Sequence, residues 1–299
     1  MDALSQIIIL FGVMFIGFYA GHKGIITPAI RKGLSELLLR VTLPFMVISS
    51  FNFKFSMDML LNGGKILFCS FIIQGLLVII SGFLFYKYSR EKKAVLRFIT
   101  AFSNCGFMGY PIIKSIFGSE GVFYTSIYNI GFNVLVWTAG VMFFTDLSEK
   151  GSIKKILLNP CIVAVFIGIV IFILRIPIPE TLWSIFDLAG GVTTPLSMMI
   201  IGAMLSEMKL SSIVSGVELY YISFIRLIAA PLLVLVAFKL LHLDGIIYDI
   251  CFIVTAMPGP VNAAIISDKY GGDSVLASKC VFTTTVFSAI TIPLILMLL

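Results

Sequence analysis

Long uninterrupted runs of apolar residues, separated by short polar connections, set the pattern of the 299-residue chain. Each run is about 20 residues long, which at about 1.5 Å per residue matches the roughly 30 Å hydrocarbon core of a bilayer. The runs lack the two-residue alternation of barrel strands, so they predict membrane-spanning α-helices. Ten spans are predicted, near residues 4–20, 34–52, 64–86, 95–117, 121–145, 156–174, 183–206, 213–240, 246–268 and 275–298.

The composition agrees with this pattern and excludes a water-soluble globular protein. Hydrophobic residues make up 59% of the chain and charged residues 12%, about half the roughly 25% share in soluble domains. The net charge of +6 comes largely from basic residues in short connections, so it predicts membrane topology and no nucleic-acid partner. The five cysteines lie singly in apolar runs without metal-ligand spacing, so we expect neither a metal site nor a cofactor.

Basic residues are distributed unevenly between alternate connections. The connections after spans 1, 3, 5, 7 and 9 carry fourteen lysines and arginines, whereas the other set carries five. Because positively charged loops stay in the cytoplasm, the richer set is predicted to be cytoplasmic, with both termini outside. We therefore expect a multi-pass protein of the plasma (inner) membrane, embedded in the lipid bilayer. The poorer set consists of Lys54, Lys65, Lys114, Arg175 and Lys239.

Five spans precede the basic connection at 146–155 and five follow it, which divides the chain into residues 1–150 and 151–299. If both halves share a fold, their odd number of spans makes them inverted relative to each other. Residues of matching type recur at offsets between 149 and 153 positions, which favours an inverted duplication. The matches are Pro44 with Pro195, Glu36 with Asp187, Pro111 with Pro260, and 118–120 with 271–273.

Spans 4 and 9 contain the clearest interruptions of helical sequence. Proline removes a hydrogen-bond donor and clashes with the preceding turn, so we expect both helices to unwind near mid-membrane depth. A single such proline is typical of a packing kink, whereas two breaks at corresponding places in inverted halves are typical of a transporter binding site. The candidate binding residues are Asn104, Cys105, Gly109 and Pro111 in span 4, and Pro258, Pro260 and Asn262 in span 9.

The stretch Ser103–Pro111 resembles the Asn-x-x-x-Met-Gly-x-Pro signature of the auxin efflux carrier family, and residues 256–270 resemble that family's ninth span. The resemblance covers essentially the whole chain. It implies an all-α fold of ten transmembrane helices, shared with bile-acid sodium symporters: a 5+5 inverted repeat in which broken helices 4 and 9 cross. It also implies a scaffold of spans 1, 2, 6 and 7, a transport unit of spans 3–5 and 8–10 that moves like an elevator, and a homodimer formed through the scaffold.

The same resemblance implies that Asn104 lies at the crossover and contacts substrate, with Asn262 facing it from span 9. Half-helix N-termini expose free N–H groups and the positive end of the helix dipole, which suits a carboxylate. The two amides would add donors without adding charge. The predicted substrate is therefore a small organic anion, either auxin-like or malate/malonate-like.

Other polar residues within the spans leave alternatives open. Asn129 and Asn133 lie four apart on one face of span 5, where they either line the same cavity or hydrogen-bond a neighbouring helix. Asp187 and Glu218 are candidates for proton transfer or ion pairing. Arg226 is either the counter-charge of the substrate or the partner of a scaffold acid; the partner role is favoured because other spans build the crossover.

These patterns favour a secondary transporter of a small organic anion. Neither crossover stretch contains an acidic residue, so movement driven by membrane potential is favoured over sodium coupling, with proton coupling through Asp187 or Glu218 as the alternative. An anion channel is a rival function, although the sequence has no repeated carbonyl filter or charged ring. An enzyme is not expected, because no nucleophile–base pair lies at membrane depth.

Overall fold

The chain folds almost entirely into helices. A computed structural model describes residues 3–54, 56–145, 158–207 and 216–298. Helix accounts for 82% of the structure, and no strand forms within the described ranges, so the prediction of an all-α protein is confirmed. The basic connection at 146–155 and the loop residue Lys209 lie outside the described residues.

The described residues form fourteen α-helices and four π-helical turns. The α-helices are α1 (Ala3–His22), α2 (Pro28–Leu37), α3 (Leu43–Ser49), α4 (Met57–Leu84), α5 (Arg90–Ala101), α6 (Tyr110–Leu135), α7 (Pro160–Leu174), α8 (Glu180–Gly191), α9 (Thr193–Ser206), α10 (Val217–Phe224), α11 (Ala230–Leu240), α12 (Ile246–Ala256), α13 (Ala263–Lys269) and α14 (Ser274–Leu296). The π-helical turns are Leu38–Thr42, Cys105–Gly109, Val136–Gly140 and Ile225–Ala229.

Several helices are apolar enough to lie in a membrane. By length and composition, four stretches can cross a bilayer, namely Met57–Leu84, Glu180–Ser206, Val217–Leu240 and Ser274–Leu296. Three shorter apolar helices are Ile8–His22, Pro160–Leu174 and Ile246–Ala256. Large apolar side chains on these helices, such as Phe15, Phe83 and Leu188, are exposed, as contact with lipid would require. The chain is thus a multi-pass membrane protein, and the total of ten spans stays a prediction.

Proline positions explain three of the four π-helical turns. Proline has no N–H for the helical hydrogen bond, and its ring clashes with the carbonyl four residues earlier. Pro44, Pro111 and Pro231 each lie two residues after the end of a π-helical turn, at the start of the next α-helix. The extra residue in the wider turn moves that carbonyl aside and lets the chain continue in helical form.

The chain forms two compact units, each assembled from separate stretches of sequence. The first unit comprises Met1–Lys65, Gly106–Ile127 and Leu157–Met208. Within it, α1 packs along α9, and α3 packs against both α7 and α8.

Glycines allow very close contact between helices of this first unit. A Cβ atom added at Gly202 of α9 would meet the main chain of Met14 and Phe18 on α1, and one at Gly17 of α1 would meet the main chain of Met199. A Cβ at Gly190 of α8 would likewise meet the main chain of Met46. Small residues that let backbones touch are the usual means of helix association in lipid, where no hydrophobic force drives packing.

The second unit comprises Ile66–Cys105, Tyr128–Ile156 and Lys209–Leu299. Helix α14 packs against α5, α10, α12 and α13, and α11 packs against α12. A buried cluster of Phe252, Ala256 and Ile295 fills the space between α12 and α14. The second unit contains residues 102–105 and 257–260, where helical geometry is interrupted, whereas residues 106–111 of predicted span 4 belong to the first unit.

Helix α6 is two helical pieces that meet at Gly118. This glycine has φ 60° and ψ −147°, outside the helical region, and it occupies the predicted connection between spans 4 and 5. Gly271, between α13 and α14, also has a positive φ of 76°. Glycine adopts this conformation without the steric cost that a Cβ would impose.

Candidate functional site

The first interruption follows the end of α5 at Ala101. Phe102 is extended, with φ −116° and ψ 141°, and Ser103 and Asn104 are also outside helix before the π-helical turn that begins at Cys105. All these residues are buried, and Asn104 is only 3% exposed. The Oγ of Ser103 and the Sγ of Cys105 lie 3.1 Å apart and are hydrogen-bonded. The chain is therefore unwound where the sequence predicts it.

The second interruption lies between α12 and α13. Met257 is extended, with φ −66° and ψ 149°, because the ring of the following Pro258 disfavours helical geometry in the residue before it. Gly259 and Pro260 continue the irregular stretch, and the residues from Met257 to Pro260 are buried. The main-chain N–H of Gly259 donates to the Oγ1 of Thr284 at 3.1 Å, which satisfies one of the groups released by the break.

The two interruptions are joined to each other within the second unit. The main-chain N–H of Asn104 donates to the carbonyl of Pro258 at 2.8 Å. Main-chain groups in a membrane must be satisfied inside the protein. The first break therefore supplies a hydrogen-bond donor, and the second break supplies its acceptor.

Arg226 is buried next to the two joined interruptions. Its side chain is 1% exposed, and it lies in the π-helical turn between α10 and α11. Its Nε donates to the carbonyl of Met257 at 3.0 Å, its Nη1 donates to the carbonyl of Thr100 at 2.9 Å, and its Nη2 donates to the carbonyl of Thr255. These carbonyls end α5 and α12, so one guanidinium caps the negative ends of two helices.

The expectation that Arg226 pairs with an acid of the scaffold is wrong. Its three hydrogen bonds in the described residues all go to main-chain carbonyls. Glu218 instead pairs with Lys92, with 3.5 Å between Oε1 and Nζ. In the first unit, Asp187 has its Oδ1 4.0 Å from the Nζ of Lys114, and its side chain is 69% exposed. Among the described residues, Arg226 is thus bonded to the ends of α5 and α12 and not to an acidic side chain.

The asparagines predicted around Asn104 occupy different surroundings. Asn129 is buried, and the Nδ2 of Asn133 donates to the main-chain carbonyl of Asn129 at 2.8 Å, within one helix. Asn262 is exposed and precedes α13, and its side chain makes no capping hydrogen bond to that helix. Gly109 and Pro111 are buried residues of the first unit. Asn104, Cys105, Pro258 and Arg226 are therefore the predicted residues most directly connected with the joined breaks.

Several main-chain N–H groups in the two breaks are already used within the protein. Besides Asn104 and Gly259, the N–H of Cys105 bonds to the carbonyl of Ser103, and the N–H of Ala263 bonds to that of Pro260. These four N–H groups are therefore not free to bind an anion. This differs from the expectation that the half-helix N-termini expose free N–H groups. Arg226 is a positively charged side chain hydrogen-bonded to the residues that flank both breaks.

A buried polar group that the sequence argument missed lies in the same unit. The Nε2 of Gln74 donates to the hydroxyl of Tyr128 at 2.9 Å, and the Oγ of Ser70 donates to the carbonyl of Tyr128 at 2.7 Å. Gln74 is the one amide in the apolar run 66–84, which was the available signal. Tyr128, its partner on predicted span 5, has no comparable signal in the sequence.

Comparisons with known proteins show similarity to membrane transport proteins. The family model described as membrane transport protein matches residues 2–155 and 148–296. The chain is 24% identical to an uncharacterised transporter of Methanothermobacter thermautotrophicus, over 98% of this chain and 97% of the relative. It is 22% identical to the uncharacterised transporter MJ1031 of Methanocaldococcus jannaschii, over 98% of both chains. It is 20% identical to the uncharacterised transporter YfdV of Escherichia coli K12, over 86% of this chain and 85% of the relative.

The family match covers nearly all of the chain, including both interruptions. It agrees with the resemblance carried by the stretch Ser103–Pro111. The protein therefore belongs to the auxin efflux carrier-like family of membrane transport proteins.

Proposed function

We propose that this protein is a secondary transporter of a small organic anion, which binds where the interrupted helices meet. The observation that carries the proposal is the 2.8 Å hydrogen bond between the main chains of Asn104 and Pro258. Discontinuous helices that meet near the midplane are the recurring way in which transporters build a binding site. The family and the relatives are transporters, which supports the general class.

The charge at this place supports an anionic substrate. Arg226 is a fully buried cation, and the stretches 101–111 and 256–264 contain no acidic residue, so the negative charge that its described contacts supply is the partial charge at the ends of α5 and α12. The amide of Asn104 is a neutral hydrogen-bonding group in the first break. A carboxylate would complement both groups, whereas a second cation would be repelled by Arg226.

We also propose the inverted repeat, and two features of the first unit support it. If span 1 corresponds to span 6 and span 2 to span 7, then α1 corresponds to α7 and α3 to α9. The contact of α1 with α9 then has its counterpart in the contact of α7 with α3. In addition, Pro44 and Pro195 lie near the first residues of α3 and α9. Both relations are those that an inverted duplication produces.

The glycines at the predicted connections give further support for the repeat. Gly118 and Gly271 are 153 positions apart, and both have a positive φ. Each lies just before the last predicted span of its half. A positive φ at matched positions is an expected remnant of duplication, because glycine adopts it readily.

We also propose an elevator mechanism. The first compact unit contains the stretches of spans 1, 2, 6 and 7, which would form the scaffold, and the second contains spans 3, 8, 9 and 10. Residues Gly106–Ile127 of spans 4 and 5 group with the first unit, so the assignment of these two spans stays a prediction. We further propose a homodimer in the plasma (inner) membrane with both termini outside.

Counterflow in liposomes tests the proposal. Purified protein is reconstituted into vesicles preloaded with an unlabelled carboxylate, and labelled carboxylate is added outside. A carrier exchanges the two and accumulates label transiently, whereas a channel dissipates the gradient without accumulation. The panel contains malate, malonate and indole-3-acetate. Absence of exchange for every mono- and dicarboxylate tested would contradict the proposed substrate class.

A further inference from the structure

We propose that two neighbouring cavities of the first unit bind the head group of a zwitterionic phospholipid, with its phosphate in one cavity and its ammonium in the other. The cavities lie where α3 and α7 end and α8 begins. All of their lining residues belong to the first unit, whereas the joined interruptions belong to the second. Neither the description of the family nor the names of the relatives assign a ligand to this place.

The larger cavity has a basic lining. Its volume is about 550 Å³, within the range of roughly 300–1,000 Å³ that is typical of ligand sites. Lys54 and Arg175 line it, and no acidic side chain does so among the residues that the structure describes. Phe51, Phe53 and Trp183 form aromatic parts of its wall. Positive charge beside apolar rings suits a phosphate that is attached to an apolar molecule.

The smaller cavity has an acidic lining. Its volume is about 290 Å³, and it is lined by Glu180 and Asp187, which lie two turns apart on α8. Within the described ranges, no basic residue lines it. The Nζ of Lys114 lies 4.0 Å from the Oδ1 of Asp187, but an ion pair of a side chain that is 69% exposed contributes little. Both carboxylates therefore remain accessible to an ammonium group.

The two cavities adjoin each other, because both are lined by Asn52, Phe53 and Trp183. One bound molecule can therefore extend from the basic lining to the acidic lining. A phosphoethanolamine head group carries a negative phosphate and a positive ammonium at the two ends of a short carbon link, so each end complements one cavity. An ammonium is also attracted by the ring of a tryptophan, and Trp183 lines both cavities.

Exposed apolar side chains at the larger cavity favour a lipid over a soluble zwitterion. Phe53 and Ile176 line this cavity and are themselves exposed, and Leu174, the residue before Arg175, is 67% exposed. Acyl chains would cover such side chains, whereas a soluble molecule would leave them in contact with water. Tryptophan is enriched at the membrane–water interface, where a head group lies, which agrees with the position of Trp183 in the lining.

The test compares lipids that have the same acyl chains. Purified, delipidated wild type in detergent is titrated with dioleoylphosphatidylethanolamine, dioleoylphosphatidylglycerol or dioleoylglycerol, and its melting temperature is measured. We expect phosphatidylethanolamine to raise the melting temperature by about 3 to 6 °C at saturation. Phosphatidylglycerol should raise it less, because it has no cation for the acidic cavity. Dioleoylglycerol should have the smallest effect, because it has no charged head group.

Charge variants separate the two ends of the head group. Lys54→Ala removes a cation next to the phosphate, so half-saturation should require about fivefold more of either phospholipid. Asp187→Asn removes a partner of the ammonium, so it should weaken the response to phosphatidylethanolamine by about the same factor and leave that to phosphatidylglycerol unchanged. Lys239→Ala is the matched control, because it removes an equal charge from an exposed position in the second unit.

Four results would overturn the inference. They are no stabilisation by phosphatidylethanolamine, equal stabilisation by phosphatidylglycerol, equal stabilisation by dioleoylglycerol, and an unchanged response to phosphatidylethanolamine in both Asp187→Asn and Glu180→Gln. Soluble glycerophosphoethanolamine tests the source of the ligand. If it stabilises the protein at the same concentration as the lipid, the ligand is a soluble zwitterion and the assignment to a lipid is wrong. Lys54, Glu180 and Asp187 are exposed, so we expect these variants to fold.

Discussion

Asn104 and Pro258 lie in different halves of the sequence, and their main chains are hydrogen-bonded over 2.8 Å. The bond uses the main-chain N–H of Asn104 and does not involve its amide side chain. Main-chain and side-chain contributions of this residue can therefore be separated by mutation, because alanine retains the N–H.

Asn104→Ala should fold normally and bind substrate more weakly. A hydrogen bond to a charged group contributes about 1.5–3 kcal/mol, which corresponds to a loss of roughly 10- to 100-fold in affinity. Affinity is measured by titration of the purified protein with the transported anion. Asn62→Ala is the control, since the Oδ1 of Asn62 accepts a hydrogen bond from Lys65 at the surface. Unchanged affinity in Asn104→Ala would place the substrate elsewhere.

Thr284→Val should destabilise the second break. The Oγ1 of Thr284 accepts the hydrogen bond of the Gly259 N–H, and valine leaves that buried donor unsatisfied at a cost of about 1–3 kcal/mol. Thr285→Val is the matched control on the same helix, because its Oγ1 bonds only to the carbonyl of Val281 among the contacts described. Thermal unfolding compares the two variants, and an equal loss in both would contradict a specific role for Thr284.

Gly202→Ala should destabilise the first unit, and Gly12→Ala should not. A Cβ at Gly202 would overlap the main chain of Met14, so the helices must separate, at a cost of about 1–3 kcal/mol. A Cβ at Gly12 of α1 meets nothing within 4 Å, and alanine there improves helix propensity. Thermal unfolding of both variants measures the difference. Equal melting temperatures would show that α1 and α9 do not rely on this close contact.

Substrate distribution should follow the membrane potential. If no cation accompanies a monovalent anion, each cycle moves one net negative charge, which is worth about 2.3 kcal/mol per 100 mV. Vesicles clamped at 100 mV should therefore reach a concentration ratio of about 50-fold, with the anion on the positive side. Protein-free vesicles are the control. A ratio that follows a pH gradient at zero potential would instead favour proton coupling.

The sequence predicted the break at Met257 because proline acts locally. The ring of Pro258 disfavours helical geometry in the residue before it, and this effect is confined to its own turn. The break at Phe102 lies nine residues before Pro111, so the ring of Pro111 does not account for it. The all-helical class was predictable for a similar reason, because lipid allows few alternatives to a helix.

The partners of Arg226 were not predictable from the sequence. A backbone carbonyl is present at every residue, so an arginine bonded to carbonyls leaves no matching acid to search for. Charge complementarity predicts an acidic partner, whereas the carbonyls of Thr100 and Thr255 are the groups that accept the hydrogen bonds of Arg226. The exposure of Asn262 was likewise not predictable, because sequence position gives depth along a helix but not the burial of a side chain. Tertiary packing decides both the partners of Arg226 and the exposure of Asn262.

The hydrogen bonds of Arg226 restrict which helix movements have a low energetic cost. Pulling the ends of α5 and α12 apart would break hydrogen bonds to a charged group, each worth about 1.5–3 kcal/mol, where no water replaces them. A displacement that carries α5, α10 and α12 together leaves these bonds intact. We therefore expect distances between labels on these three helices to stay constant through a transport cycle.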